Sequence, residues 1–305
     1  AQAVESGNKT LADGFIIVDG SRFVGVGSGL DLMHLLVDLQ TEKNRQVMQS
    51  IDYASAIQKG MLGESLKSLQ STLNDAAIIW EPRDVVGGDF YHFQAFPNGW
   101  FAAIADCTGH GVPGAFLTLI ASSSLRHALD RHGPENPAFL LAEVSLGIKL
   151  ALGQHDTQAQ TGLFNDGADA VFMWFDANQN TLTSAHAKMP LFILPDGSDN
   201  LTTLSGERLG LGYADTPASA VWTNHTTELA ADTLVLACTD GLIDQIGGAK
   251  HIAFGKRRVR QALLQHRTFS APALLESLMA TLSQYQGTQA RRDDLTLFGF
   301  RPNPN

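Results

Sequence analysis

The chain has 305 residues and 44% of them are apolar, so it is long enough to bury a sizeable core in one large domain or two unequal ones. Its formal net charge is −10 and it has no long basic run, which argues against binding to nucleic acid. No apolar stretch approaches the roughly 20 residues of a membrane span. With two cysteines, no secretory signal and no initiator Met, it is expected to be a cytoplasmic piece of a longer protein, whose attachment to a membrane is left open.

The first predicted element is a β-hairpin. Residues 15–18 and 23–26 are apolar runs separated by Asp19-Gly20, which is a strong signal for two antiparallel strands joined by a tight turn. A lone hairpin is marginally stable in water. Residues 1–29 are therefore expected to be the C-terminal remnant of a sensory or regulatory domain.

A helical linker is predicted next, over residues 30–69. Apolar side chains recur along it at spacings of three and four, with Gly60 and Gly63 as possible breaks. The stripe fits either an amphipathic helix packed on its own domain or a parallel coiled coil between two subunits. The coiled coil is favoured, and with it a homodimer through residues 30–68.

From residue 76 onward, short apolar runs predict strands and longer amphipathic stretches predict helices. The predicted strands are 76–80, 100–104, 171–175, 182–185, 234–238 and 295–298, together with 191–194 as an edge strand. The predicted helices are 114–129, 137–152, 256–265 and 272–285. Because strands and helices do not follow a sustained strand–helix–strand rhythm, the pattern predicts an α+β fold with two antiparallel sheets and helices outside.

Four segments place aspartates beside turns or at strand ends. They are Gly87-Gly88-Asp89, Ala105-Asp106-Cys107-Thr108-Gly109-His110-Gly111, Thr239-Asp240-Gly241 and Arg292-Asp293-Asp294-Leu295-Thr296. Each adjoins an apolar run that reads as a buried strand, so the carboxylates can converge on one point. Converging carboxylates repel one another unless cations neutralise them, and oxygen ligands favour magnesium or manganese over zinc.

In this order, and with the run Gly109-His110-Gly111-Val112-Pro113-Gly114-Ala115, the segments resemble the PPM-type metal-dependent protein serine/threonine phosphatases, in the SpoIIE-like branch. The resemblance covers residues 70 to 302. It implies an α/β/β/α sandwich, preceded by the long linker helix, and a phosphatase domain over residues 70–305. It also implies two divalent cations, Mn or Mg, at one edge between the sheets.

The resemblance further implies hydrolysis of phosphoserine or phosphothreonine in proteins. The expected mechanism is attack on phosphorus by a hydroxide held between the two metals, in line with the leaving oxygen. The expected substrate is a phosphorylated STAS-type, anti-anti-sigma regulator in bacterial signalling. The alternative is a catalytically silent pseudophosphatase that acts as a partner-binding scaffold.

Two of the aspartates are implied to be both ligands and catalytic residues. By resemblance, Asp106 bridges the two metals and Asp89 serves the first metal directly or through water. Cys107 stands where the family usually has Gly. Its backbone carbonyl can still be a metal ligand, provided that its φ angle is negative.

The remaining site residues are also assigned by resemblance. Asp240 and Asp293 match ligands of the second metal, while Asp294 matches a supporting Asn or Asp; which of the last two binds directly is left open, with Asp293 favoured. Arg83 lies near where such phosphatases keep a phosphate-binding Arg, and a solvated surface Arg is the equal alternative. His110 is read as shaping a turn rather than as an essential acid.

Three positions depart from the family pattern. His92 replaces a second Asp, and a surface histidine on a strand is the favoured reading over one that orients a metal-bound water. His186 and Lys188 fall where the usual branch has Ala-Gly-His-x-Pro. Lys188 could face a substrate phosphate or cover the sheet edge, and the edge is favoured.

Overall fold

A computed structural model describes residues 14–154 and 165–302. In chain order, its helices are α1 (Gly29–Thr72), α2 (Gly111–His132), α3 (Pro137–Leu152), α4 (Asp240–Ile243), α5 (Gly255–Gln265) and α6 (Ala271–Gln286). Its strands are β1 (Phe15–Asp19), β2 (Arg22–Gly27), β3 (Ala76–Glu81), β4 (Asp89–Phe96), β5 (Gly99–Cys107), β6 (Ala168–Asp176), β7 (Thr181–Ala187), β8 (Leu191–Leu194), β9 (Thr202–Leu204), β10 (His225–Glu228), β11 (Leu234–Cys238), β12 (Ile246–Gly247), β13 (Ile252–Ala253) and β14 (Leu295–Phe300). No helix in these two ranges is long and apolar enough to cross a membrane.

The chain divides into two compact units, residues 1–54 and 55–305, with the boundary inside α1. In the first unit, β1 and β2 form the antiparallel hairpin that the sequence predicts. Helix α1 is continuous from Gly29 to Thr72, so neither Gly60 nor Gly63 breaks it. A single glycine inside a helix lowers helix stability by only about 1 kcal/mol relative to alanine, so the residues on either side can keep the helix intact.

Two five-stranded sheets make up most of the second unit. Their strand orders are β10-β7-β6-β5-β4 and β3-β14-β11-β8-β9, and all their neighbouring strands pair antiparallel. Helices α2 and α3 pack on the first sheet, and α5 and α6 pack on the second. The α/β/β/α sandwich predicted from the sequence is therefore confirmed.

The prediction that residues 191–194 form an edge strand is wrong. Strand β8 lies between β11 and β9, and all four of its residues are buried. The short strand Thr202–Leu204 covers its outer side. This strand has three residues and two of them are threonines, so the sequence has no apolar run that would predict it.

Aromatic side chains hold the two sheets together. Trp100 stacks on Phe93 and on Phe175 in its own sheet, with ring centroids 5.4 Å apart in both pairs. It also meets Phe300 of the second sheet edge to face at 4.9 Å. Offset and edge-to-face contacts of this kind add to the burial of apolar area. They fix one sheet on the other, and with it the ends of the strands that carry the aspartates.

The C-terminal half of α1 is packed against its own unit. Its buried residues are Ser55, Gln58, Leu62, Ser65 and Leu69, at alternating spacings of three and four. That spacing places them on one helical stripe. In the N-terminal half, by contrast, Leu35, Leu36 and Leu39 are 54%, 47% and 59% exposed.

Candidate metal centre

Strand register brings three aspartates together at one edge of the first sheet. Asp106, near the end of β5, lies opposite Asp89 of β4 and opposite Asp169 of β6. Side chains directly opposite each other in an antiparallel sheet share a face, with Cβ atoms about 4.5–5.5 Å apart. The predicted pair Asp89 and Asp106 is therefore joined by Asp169, which no pattern in the sequence indicated.

Asp89 is fully buried and only one of its carboxylate oxygens is satisfied. Its Oδ2 accepts hydrogen bonds from Thr239 Oγ1 at 2.8 Å and from Thr296 Oγ1 at 2.7 Å. Its Oδ1 has no hydrogen-bond partner among the described residues. Burial raises the pKa of Asp89 to about 8, against the opposing effect of the two hydroxyls. A buried, unpartnered carboxylate oxygen is costly, and a bound cation would remove that cost.

The carboxylates at this edge repel one another. Burial and then the charges of Asp89, Asp240, Asp293 and Asp169 raise the pKa of Asp106 well above its ordinary value. Asp240 is itself exposed at the start of α4, yet partial desolvation and then the charge of Asp293 raise its pKa to about 6. The four predicted ligand segments thus converge in space. Like charges held this close favour either protonation or a bound cation.

The donor set fits divalent cations that prefer oxygen. In the described part of the chain, no group of three or more His, Cys, Asp or Glu side chains stands ready to hold a metal ion as it is placed. Carboxylates are nonetheless the ligands that magnesium and manganese take, and Oδ1 of Asp89 has no hydrogen-bond partner in the described part of the chain.

Asp293 and Asp294 have different surroundings. The carboxylate of Asp294 accepts the backbone N–H of Arg83 at 2.6 Å and that of Gly88 at 2.5 Å, one on each oxygen. The carboxylate of Asp293 accepts the backbone N–H of Asp294 at 2.9 Å. Asp294 therefore fixes both ends of the segment from Arg83 to Gly88, here called the glycine loop. The other oxygen of Asp293 has no hydrogen bond to the described residues, so it is available for a ligand.

The glycine loop packs closely against the end of β5. A Cβ atom on Gly88 would lie 2.4 Å from the carbonyl oxygen of Gly109 and 2.7 Å from that of Cys107, so no larger residue fits there. Cys107 is not among the residues with positive φ, which meets the condition for a carbonyl ligand. Its thiol is buried, and burial followed by the charge of Asp106 raises its pKa well above the usual value. The Cys107 side chain is thus a protonated packing group.

The remaining predicted residues lie nearby. Arg83 is exposed, and its guanidinium donates to the carbonyl of Arg292 at 3.1 Å, beside the Asp293–Asp294 segment. His110 precedes α2 and makes no cap hydrogen bond; its Nδ1 lies 2.7 Å from Asp84 Oδ2. His92 is three residues after Asp89 in β4, so strand alternation places it on the opposite face of the sheet.

Sheets, helices and an aspartate edge of this kind define a PPM-type serine/threonine protein phosphatase, the class also called PP2C. The family model described as Stage II sporulation protein E (SpoIIE) matches residues 97–303. The chain belongs to this SpoIIE family.

Solved structures agree with this assignment. The chain is similar to the SiaA-PP2C domain of Pseudomonas aeruginosa, with 34% identity and a TM-score of 0.74 over 85% of this chain and 98% of that one. It has the fold of the PP2C phosphatase domain of SpoIIE from Bacillus subtilis (17% identity, TM-score 0.60, 76% of this chain and 62% of that one). It also has the fold of the PPM Ser-Thr phosphatase MsPP from Mycobacterium smegmatis (12% identity, TM-score 0.52, 75% and 99%). No curated protein matches the chain.

Proposed function

We propose that this chain is an active, metal-dependent phosphoserine/phosphothreonine protein phosphatase that uses two divalent cations, manganese or magnesium. One observation carries the proposal: Asp89 is fully buried, and one of its carboxylate oxygens has no hydrogen-bond partner among the described residues, although Asp106 lies directly opposite on the next strand. A site built only for stability would pair or remove such a group.

The chain's own residues divide the work. Asp89, Asp106, Asp240 and Asp293, with the backbone carbonyl of Cys107, would hold the cations. When bound, the cations supply Lewis-acid activation of water and neutralise charge on the phosphoryl oxygens. Asp106 is central to this arrangement because its register partners are the aspartates of both neighbouring strands.

Other residues position these ligands. Thr239 and Thr296 orient the carboxylate of Asp89, and Thr239 Oγ1 also accepts the backbone N–H of Thr296 at 2.9 Å. Asp294 holds the glycine loop through two backbone N–H groups. Groups that orient metal ligands in this way typically change metal affinity 10- to 100-fold, as a rough range, when they are removed.

Arg83 is proposed to bind the phosphate of the substrate at the exposed side of the aspartate cluster. The position of Arg83 supports this role, because its backbone N–H donates to Asp294. Its exposed guanidinium donates to the carbonyl of Arg292 and forms no ion pair with the described residues. A guanidinium free of a carboxylate can bind a phosphate with two hydrogen bonds.

A phosphorylated STAS-type regulator in the cytoplasm is the proposed substrate. Membership of the SpoIIE family supports it, together with a site that is open at Asp240. A homodimer through residues 30–68 is proposed as well. It is supported by the exposed leucines of α1, which need a partner surface, and a second copy of the same helix is the simplest one.

The test is turnover of an aryl phosphate and of a phosphoserine peptide with manganese, comparing the unmodified protein with Asp106→Asn. The proposal expects manganese-dependent release of phosphate from both substrates and its loss in the variant. If the unmodified protein binds a phosphorylated STAS protein but releases no phosphate under any divalent cation, the scaffold alternative is right instead.

A further inference from the structure

Lys188 is the exception in an otherwise buried segment. Every other residue from Ser184 to Leu194 is buried, while Lys188 is exposed. Its φ angle is +61°, in the left-handed region that disfavours residues with a side chain. This conformation costs about 1–2 kcal/mol for an L-residue, so the surrounding structure must hold it in place.

Backbone and buried side-chain bonds hold the turn that presents Lys188. The Lys188 N–H donates to the Glu207 carbonyl at 2.9 Å, and its backbone bridges to Ala170 of β6. The ring of His186, which is fully buried, lies 3.2 Å from the Met189 carbonyl through Nδ1. Because a carbonyl can only accept, Nδ1 carries the proton. Burial lowers the pKa of His186 to about 4, so the ring is neutral at pH 7.

The turn points the ammonium group at the aspartate edge. Lys188 Nζ lies 3.3 Å from Asp169 Oδ1 and 4.2 Å from the centre of the Tyr213 ring. The Tyr213 hydroxyl donates to the same Asp169 oxygen at 3.2 Å. Asp169 in turn lies opposite Asp106 in the sheet. Only the side chain of Asp169 therefore separates the ammonium group of Lys188 from Asp106.

The ion pair alone does not explain this arrangement. The side chains of Lys188 and Asp169 are 38% and 33% exposed, and such partly exposed pairs contribute about 0–1 kcal/mol. That is no more than the strain of the left-handed backbone. The lysine stem is flexible, so its ammonium can leave Asp169 for a stronger anion without any movement of the backbone.

We propose that Lys188 is a substrate-binding residue, whose ammonium moves from Asp169 to the phosphoryl group of the phosphomonoester. The inference rests on the proposed phosphatase function and adds a positive charge on the β6 side of the site. A phosphomonoester dianion must approach an edge crowded with aspartates, and the positive charge of a lysine held at that edge offsets the repulsion. Tyr213 keeps Asp169 hydrogen-bonded when the lysine leaves.

The test compares Lys188→Gln with Lys188→Arg, and uses Lys250→Gln, at an exposed lysine, as the matched loss of one charge. With saturating manganese, Lys188→Gln should raise the KM for p-nitrophenyl phosphate and the inhibition constant of inorganic phosphate by about tenfold each, the loss of one charge-assisted hydrogen bond. Lys188→Arg should stay within about threefold of the unmodified protein, since it keeps the charge. Lys250→Gln should change neither constant.

A second readout needs no turnover. Inorganic phosphate in the presence of manganese should raise the melting temperature of the unmodified protein, and Lys188→Gln should reduce that shift. If Lys188→Gln does not fold, Lys188→Asn removes the same charge with a residue that tolerates the left-handed region.

Two results would overturn the inference while leaving the phosphatase function intact. One is an unchanged KM and phosphate inhibition constant in an active Lys188→Gln, which would make the lysine a cover for the sheet edge. The other is a raised KM for a phosphoserine peptide but not for the aryl phosphate, which would place the lysine against the polypeptide. No activity in the unmodified protein, by contrast, would contradict the proposed function itself.

Discussion

Gln58 of α1 is hydrogen-bonded twice to the backbone of Gly87. Its Nε2 donates to the Gly87 carbonyl at 2.8 Å, and its Oε1 accepts the Gly87 N–H at 3.2 Å. The same Nε2 lies 3.3 Å from Thr118 Oγ1 of α2. Gly87 is two residues before Asp89, so the helix that the sequence predicts to be a linker is hydrogen-bonded directly to the glycine loop beside Asp89.

Replacing Gln58 should therefore weaken metal binding. Gln58→Glu puts a carboxylate oxygen where the amide donates to Gly87, in a position that is 3% exposed. The loop should loosen, and the manganese concentration for half-maximal activity should rise by at least about tenfold. Gln49→Glu, on an exposed part of the same helix, makes the same charge change and should leave this manganese concentration unaltered. Equal manganese titrations for both variants would contradict a coupling through Gln58.

Asp106 and Asp240 should be required for turnover. Asp106→Asn or Asp240→Asn removes a charge that the cations need, so the turnover rate should fall by at least about a hundredfold. The metal-free proteins should melt no lower than the unmodified one, because each change relieves repulsion among the carboxylates. Asp196→Asn, at an exposed carboxylate, serves as the control. Near-normal rates in both site variants would mean that these residues only form turns.

The neighbouring aspartates should separate into a ligand and an anchor. Asp293→Asn should weaken manganese binding, measured by calorimetry, and change the melting temperature of the metal-free protein little. Asp294→Asn replaces one of two oxygens that accept backbone N–H groups with a donor, so it should lower the melting temperature as well. The reverse pattern would assign the direct ligand to Asp294.

The metal-free protein should lose stability as the pH rises. The folded-state pKa values of Asp89 and Asp240 are raised to about 8 and about 6, above their ordinary value. Folded protein therefore binds more protons than unfolded protein between about pH 4 and pH 8, and stability falls through that window. Melting temperatures in a chelator should drop from pH 5 to pH 8, and Asp89→Asn should flatten the slope.

Divalent cations should reverse this trend, because they bind the deprotonated carboxylates of the folded state. Manganese should raise the melting temperature more at pH 8 than at pH 5. Full phosphatase activity after exhaustive chelation would contradict the two-metal proposal, whatever the melting data show.

The aspartates of the site that the sequence predicts all lie in recognisable local motifs. Asp89, Asp106 and Asp240 each stand beside a glycine or near a strand end, and Asp293 lies two residues before β14. The structure brings these four segments together. Asp169 had no such signal. It reaches the edge only because β6 pairs with β5 in one particular register, and register is a property of two strands rather than of one segment.

The missed helix contact has a similar cause. Gln58 looks like part of the polar face of an amphipathic helix, yet it is buried because both ends of its amide find partners in Gly87. A buried amide is tolerated when its hydrogen bonds are satisfied, and sequence periodicity cannot reveal such partners. Short polar strands such as Thr202–Leu204 and His225–Glu228 were not predicted, because they contain no apolar run.

The apolar stripe of α1, which includes the exposed Leu35 and Leu39 and the half-buried Ile51, leads to the last prediction, that the protein is a dimer through residues 30–68. Ile51→Glu places a charge on the stripe in each chain, and in a symmetric parallel seam each charge meets its own copy. Light scattering should show a dimer for the unmodified protein and a monomer for the variant. Gln49→Glu lies off the stripe and should remain dimeric. Phosphatase activity should change with the loss of the dimer if helix packing transmits a signal to Gly87 through Gln58. A monomer in the unmodified protein would mean that the leucines of α1 are covered by something other than a second copy.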